Sequence, residues 1–478
     1  MFSGVRGGKV GDRMLRQEIP YFHDSALLFE RVAHLPWAIF LDSGQALNAA
    51  TGKSGSQYGR FDILVAEPVA TLVTRGVTTT ISANGNITVS TDDPFLLLKN
   101  LLKKYPAPKT DLPFAGGALG YFAYDLGRKL AKLSDAKSAE ATPEVMVGIY
   151  DWALVVDHRK KTATLVSHAF SEETRAKWHA LSALFHASLE ASAKSFQVTS
   201  QVESNFTDTT YRQAFAQVQR YISAGDCYQV NLAQRFLANV RGDSWTAYKK
   251  LREVSPAPFM AYMHLPLNEN ETFQMLSNSP ERFIQSVGDH VETRPIKGTR
   301  PRANDTVKDL AYANELLASA KDRAENLMIV DLLRNDMSKN CEFVKVEKLF
   351  QLQSFANVHH LVSTVTGKLR QGVTALEVLQ GCFPGGSITG APKVRAMQII
   401  DEIEPHNRGI YCGAIGYIGF DGDMDTNIAI RTAIICKGQL SFYAGGGIVA
   451  DSDVAKEYAE TLDKASSMIS VLKHFIRL

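Results

Sequence analysis

Glu281 and Lys297 are the first pair in this chain whose types and spacing can do chemistry. They bracket the run Arg282 to Ser286, a turn signal at Val287-Gly288-Asp289 and a returning run from His290. In a hairpin centred near residue 289 they are equidistant from the turn, so they sit opposite one another with Cβ atoms about 5 Å apart. Such a pair is either a plain cross-strand ion pair or an amine nucleophile beside a carboxyl that can give and take protons. The second role needs a partly deprotonated amine, which a nearby cation would favour.

Two predicted helices carry acidic pairs three residues apart, Asp322 with Glu325 and Glu457 with Glu460. That spacing puts both carboxylates of a pair on one helix face. They are either solvated helix charge or, if the faces oppose, oxygen donors for Mg²⁺ beside an anionic ligand. Lys464, one turn past Glu460, shares that face and can hold a carboxylate. The glycines of GSITGAPK and AGGGIVADS allow backbone N–H groups to converge on an anion, or simply make tight turns. His360 follows His359 in an apolar run, where a satisfied core histidine is the ordinary reading. Arg294, Lys297, Arg300 and Arg302 form a cationic cluster that is weak evidence for nucleic acid.

The elements that must position these groups can be read from periodicity. The first 17 or so residues read as a loose leader, and residues 188–208, rich in Ser, Thr and Gln, read as a linker. These divide the chain into regions 18–195 and 207–474. Asp208 or Thr209 caps a helix with apolar positions Tyr211, Phe215, Val218 and Ile222. Helices are expected over 306–320, 322–338 and 454–476. The runs 414–420, 424–436 and 440–443 read as an antiparallel meander. Hairpin-joined strands with helices segregated outside them predict an α+β fold, with antiparallel β-sheets packed at the core.

Composition bounds the partners. The 478 residues carry 52 Lys+Arg and 50 Asp+Glu, a net charge of +2. That balance offers neither nucleic acid nor an anionic membrane an electrostatic footprint. No run approaches the ~18 apolar residues of a membrane span. Five cysteines with no CxxC pair point to a reducing, cytoplasmic setting. Gly445 to Ala450 matches GxGxxA, but Ser470 stands where a dinucleotide domain needs an acid about 20 residues on. GGSITGAPK lacks the GK[ST] ending of a phosphate loop. Cys382 lacks the glycine two residues before it that a glutaminase elbow requires, so the chain is not expected to hydrolyse glutamine itself.

Taken together the motifs resemble the chorismate-utilising enzymes. SPERFI (279–284), PIKGTRPR (295–302), AENLMIVDLLRND (324–336), HHLVS (359–363), FPGGSITGAPK (383–393), MDTNIAIRT (424–432) and AGGGIVADS (444–452) occur in that family's order. Lysine in PIKGT marks the branch that aminates chorismate at C4 and keeps the enolpyruvyl group; the anthranilate-forming branch has alanine there and is the alternative. The resemblance implies that Lys297 attacks C2 of chorismate while Glu281 protonates the departing C4 hydroxyl. Ammonia, from a glutamine amidotransferase subunit in a heterodimer, then adds at C4 and expels the lysine.

It also implies Mg²⁺ held directly by Glu325 and Glu460, and through water by Asp322 and Glu457. Arg431 and Tyr411 match residues that hold the enolpyruvyl carboxylate. Gly298, Thr299, Ser387, Gly445, Gly446, Gly447 and Lys464 match other substrate contacts, and His360 matches a histidine at the reacting face. Family members regulated by tryptophan carry Leu-Leu-Glu-Ser where this chain has Phe40-Leu41-Asp42-Ser43. Ser43 with Pro258, Phe259 and Met260 is therefore a candidate tryptophan site, with aspartate replacing the family's glutamate.

Overall fold

The computed structural model describes residues 14–44, 59–131, 133, 142–187, 194–355 and 358–476. Among them the strands form two sheets, of 13 and 12 strands, with every strand pair antiparallel. Alternation along each strand explains the layering, because successive side chains point to opposite faces. In the strand Ala38–Asp42, Ala38 and Phe40 belong to a cluster that includes the helix residues Trp178, Phe185, Trp245 and Leu472. Ile39 instead joins Leu119, Tyr121 and Met146 of the other sheet. Ala118 and Phe122 of that sheet face outward, with Leu98, Val330 and Leu379 of helices. The order is helix, sheet, sheet, helix, the α+β architecture expected.

The chain interleaves its two regions in both sheets. Ala38–Asp42 lies between Phe61–Val65 and Phe259–Pro266. Gly117–Phe122 lies between Val145–Tyr150 and Ala414–Gly419. Residues 1–13 of the expected leader lie outside the described residues, but Leu15–Ile19 is already a strand, paired with Thr162–Ser167. Of the expected linker, 188–193 lie outside the described residues. Phe196–Val198 and Glu203–Ser204 run along Gln229–Gly242 as short strands.

Three local expectations change. Arg282–Val287 pairs with His290–Thr293, but in the register Ser286↔Val291. The chain then leaves this hairpin, because Pro295 has no N–H to donate to a ladder. Ile296–Pro301 pairs instead with Val358–Leu369. Glu281 and Lys297 are therefore not cross-strand partners. The run 424–436 is also not one strand. Met424–Ile428 belongs to the 12-stranded sheet and Thr432–Cys436 to the other, and the chain crosses between them at Arg431, whose φ is 50°. The helix Asp208–Ser223 is capped by Thr207, in a reciprocal box with Thr210.

A buried ion pair ties down the first strands. Asp62 accepts from Ser43 N (2.8 Å) and Ser25 Oγ, and lies 2.7 Å from His158 Nε2. Burial disfavours both charges, yet Asp62 raises the His158 pKa and the pairing holds Asp62 at about 2. The histidine stabilises fully below its unfolded pKa, and loses that contribution as pH rises through its raised folded value. The aspartate stabilises above its unfolded pKa and loses this towards pH 2. His158→Gln should therefore lower the melting temperature by several degrees near pH 6 and by clearly less at pH 9. Melting curves at both values check this; a pH-independent difference refutes it.

Candidate active site

A cavity of about 600 Å³ opens among the helices Ala320–Ser338 and Val454–Phe475, the strands Ile296–Pro301 and Gln439–Ile448, and the loop through Ser387. Its size suits a small organic ligand. Of the residues singled out from sequence, Glu281, Lys297, Gly298, Thr299, Asp322, Glu325, His360, Ser387, Tyr411, Arg431, Gly445, Gly447, Glu457, Glu460 and Lys464 line it. Gly446 is on the same strand, facing Glu457 and Glu460.

Glu281 and Lys297 meet through a loop and not through a hairpin. Lys297 Nζ lies 2.7 Å from Glu325 Oε1 and 3.3 Å from the Ser387 carbonyl. Ser387 Oγ donates to Glu281 Oε1 at 3.3 Å. One residue therefore touches both members. Burial pushes the Glu281 carboxyl up to about 7, against the pull of Lys297, Ser387 and the Ile296 N–H. Burial alone would lower the Lys297 amine, but Glu325, Glu281 and Glu460 reverse this and its pKa is raised. Gly298 follows in a left-handed conformation, φ 81°, where a Cβ would stand 2.7 Å from Leu316 and 2.9 Å from Asp322. Only glycine lets the lysine strand turn so close to the acidic helix.

The opposite wall is fit for an anion. Arg431 lies at the crossing between sheets, and among the described residues no side chain or carbonyl accepts a hydrogen bond from its guanidinium. Thr299 and His360 are register partners, with Oγ1 and Nδ1 2.9 Å apart. Burial and Arg431 bring the His360 pKa down to about 4, so it is neutral near pH 7. Tyr411 stacks on Tyr443 at 5.3 Å. Lys464 Nζ donates to the Gly445 carbonyl at 3.1 Å.

Each of the four helix carboxylates faces a basic side chain. The pairs are Lys297–Glu325 (2.7 Å), Lys464–Glu460 (2.6 Å), Arg300–Asp322 (3.3 Å) and Lys321–Glu457 (3.6 Å). Among the described residues no group of three or more His, Cys, Asp or Glu side chains is arranged around one point as metal ligands. The carboxylates of both helices nevertheless approach one glycine strand. A Cβ on Gly446 would lie 3.1 Å from Glu457 Oε2 and 3.5 Å from Glu460 Oε1, and one on Gly447 would lie 3.3 Å from Glu325 Oε1. Three hard oxygen donors around a strand without side chains fit the chemistry of Mg²⁺.

Asn231, Arg300, Lys321, Tyr443 and Asp463 also line the cavity and were not assigned to it from sequence. Lys321 adjoins Asp322, and Arg300 lies just past Gly298, so their neighbours were the available signal. Asn231 and Tyr443 come from paired strands, and nothing local marks them. Behind them the buried Arg408 donates to the Asn231 carbonyl (2.8 Å) and the Ile388 carbonyl (3.1 Å) while paired with Glu404. The cationic cluster read as a weak nucleic-acid signal is spent on acids: Arg294 on Glu292, Arg302 on Asp309, and Lys297 and Arg300 as above.

A second cavity, of about 530 Å³, is lined by Asp42, Ser43, Pro258, Phe259 and Met260. The buried hydroxyls of Ser43 and Ser286 at its wall have no hydrogen-bond partner among the described residues. The Asp42 carboxylate is held by Arg252 Nε (2.5 Å), Tyr248 OH (3.2 Å) and Gly44 N (2.8 Å).

The family model for chorismate binding enzymes matches residues 54–470. This chain belongs to that family. As a chorismate-binding enzyme it is 47% identical over 463 residues to aminodeoxychorismate synthase component 1 of Salmonella typhimurium, covering 95% of this chain and 98% of that one. The protein of the same name from Escherichia coli is 48% identical over 451 residues, covering 93% and 95%. Among solved structures, anthranilate synthase component I of Streptococcus pneumoniae superposes with a TM-score of 0.74 at 31% identity, covering 87% of this chain and 93% of that one. No helix among the described residues is long and apolar enough to cross a membrane.

Proposed function

We propose that this chorismate-binding enzyme aminates chorismate at C4 to 4-amino-4-deoxychorismate, a step towards p-aminobenzoate and folate. The observation that carries the reading is Lys297, an amine in the cavity where the anthranilate-forming branch has none, coupled to Glu281 through Ser387. The two relatives above, nearly half identical to this chain, carry a name that fits this reaction.

In this mechanism the deprotonated Lys297 amine forms a bond to C2, both conjugated ring double bonds shift, and the C4–oxygen bond breaks. Glu281, protonated because burial lifts it to about 7, gives its proton to the leaving hydroxyl, and water departs. Ammonia then adds at C4 and gives up a proton, both double bonds shift back, and the lysine leaves with its electron pair. Arg431 offers its unshared guanidinium to the enolpyruvyl carboxylate, beside Tyr411. Neutral His360, fixed by Thr299, orders the reacting face without adding charge. Glu325 and Glu460 would hold Mg²⁺, with Asp322 and Glu457 behind them. There it would neutralise the ring carboxylate and relieve Lys297 of the charge that favours its ammonium. The chain supplies no glutaminase nucleophile, so we assign ammonia delivery to a separate glutamine amidotransferase subunit.

Incubation with chorismate, Mg²⁺ and ammonium salt tests the reading by chromatography and mass spectrometry. A product that keeps the enolpyruvyl group and becomes p-aminobenzoate only with an added lyase supports it. Anthranilate with released pyruvate overturns it. Glu460→Gln should raise the Mg²⁺ needed for half-maximal activity at least tenfold, since losing even a partner that only supports a metal ligand typically costs about 10- to 100-fold in affinity. An unchanged metal titration removes Glu460 from the site.

The second cavity has the volume and the unpartnered Ser43 and Ser286 hydroxyls to take tryptophan, with Phe259 as its aromatic wall. Asp42 is engaged inward by Arg252 and Tyr248, so it contributes no free carboxylate. We assign tryptophan there a structural role and not feedback control.

A further inference from the structure

Lys321 is a cavity-lining cation that the reaction above does not use. It stands in the first turn of the helix Ala320–Ser338, next to Asp322 and one turn before Glu325. Its side chain, half exposed at 51%, crosses to the other acidic helix, and Nζ lies 3.6 Å from Glu457 Oε1. Glu457 is the buried member of its helix pair, with a side chain 4% exposed. The same Oε1 accepts from Ser452 Oγ at 2.7 Å, while Oε2 faces the Gly446 backbone and Glu460. Glu457 thus sits buried beside a second carboxylate. A buried carboxylate so placed needs a positive neighbour. Lys464 is 2.6 Å from Glu460, Lys297 is 2.7 Å from Glu325, and Arg300 shares itself between Asp322 and Glu315. Lys321 is what remains for Glu457.

We infer that Lys321 is a competitor for the metal-holding carboxylates, a tethered cation that a divalent ion must displace from Glu457 before the site closes around it. The inference rests on the reading of Glu325 and Glu460 as the direct holders of Mg²⁺, with Glu457 behind them acting through water. Three features carry it. Lys321 and the ion claim the same carboxylate. The lysine stem is exposed and can swing out of the cavity, whereas Glu457 cannot leave it. The Lys321 pair is also the longest of the four, so it is the easiest to break. The consequence is a site whose metal affinity is held down by its own chain until the dianionic substrate draws Lys321 aside.

This predicts a gain of affinity, which a destabilised fold cannot imitate. Mg²⁺ is titrated calorimetrically into chelator-treated full-length chain, without chorismate. Lys321→Ala should bind Mg²⁺ about fivefold more tightly than wild type, the scale of one partly exposed ion pair removed, while Lys321→Arg stays near wild type. In a Glu457→Gln background the Lys321→Ala gain should vanish. Unchanged or weaker binding in Lys321→Ala overturns the inference, as does a full gain that persists in the Glu457→Gln background. A wild-type chain that takes up no Mg²⁺ removes the metal reading itself, and the inference with it.

Discussion

Lys297→Ala should lose amination by roughly ten-thousand-fold or more, the scale expected when a covalent nucleophile is deleted. Wild-type enzyme given chorismate and Mg²⁺ but no ammonia should accumulate an adduct, seen as a gain of chorismate less water in the intact mass. The alanine variant should show none. The side chain is 12% exposed and its amine is shared between Glu325 and the Ser387 carbonyl. Its removal therefore leaves Glu325 without its nearest cation, and Mg²⁺ binding is the proper control for an intact site. If amination survives in the variant at more than a hundredth of the wild-type rate, ammonia displaces the hydroxyl directly and Lys297 is only a counter-ion.

The second large effect is at Glu281. Glutamine there keeps a hydrogen-bond acceptor for Ser387 but cannot deliver a proton, so turnover should fall by about 10²- to 10⁴-fold. The pH profile gives an independent check. The working form is the protonated acid, and burial places its pKa at about 7. Above neutrality loss of that proton opposes the growing fraction of neutral Lys297 amine, so wild-type activity should fall relative to Glu281→Gln, whose profile follows the lysine alone. A wild-type profile parallel to that of Glu281→Gln from pH 6 to 9 would remove Glu281 from the role of acid.

Much of this site was legible because its residues announce themselves locally. The i, i+3 acid pairs need only helical geometry to share a face, and the helices Ala320–Ser338 and Val454–Phe475 supply it. The Glu281–Lys297 association was reached for a partly wrong reason. Hairpin spacing suggested it, but Pro295 diverts the chain to Val358–Leu369, and Ser387, about ninety residues further on, restores the contact. Arg431 reads as an ordinary strand residue in a β-rich run, yet it marks the crossing between sheets, which hydrophobic alternation does not reveal. Arg408 was invisible for another reason. Its importance lies in carbonyls of residues 231 and 388, and no side-chain pattern records which carbonyls converge. The layering followed from alternation, but the interleaving of both regions depends on strand order, which sequence does not spell out.

That interleaving has a consequence for how the protein comes into being. When the first two hundred residues have left the ribosome, Ala38–Asp42 still lacks its neighbour Phe259–Pro266, and Gly117–Phe122 still lacks Ala414–Gly419. One apolar strand edge stands bare until residue 266 has been made, and the other until residue 419. Folding is thus post-translational in character and dominated by distant pairings, which makes it slow. A nascent chain stalled before residue 414 should engage holding chaperones, while the finished chain is released. Cutting the gene near residue 200 should give two insoluble halves that recover solubility only when made together.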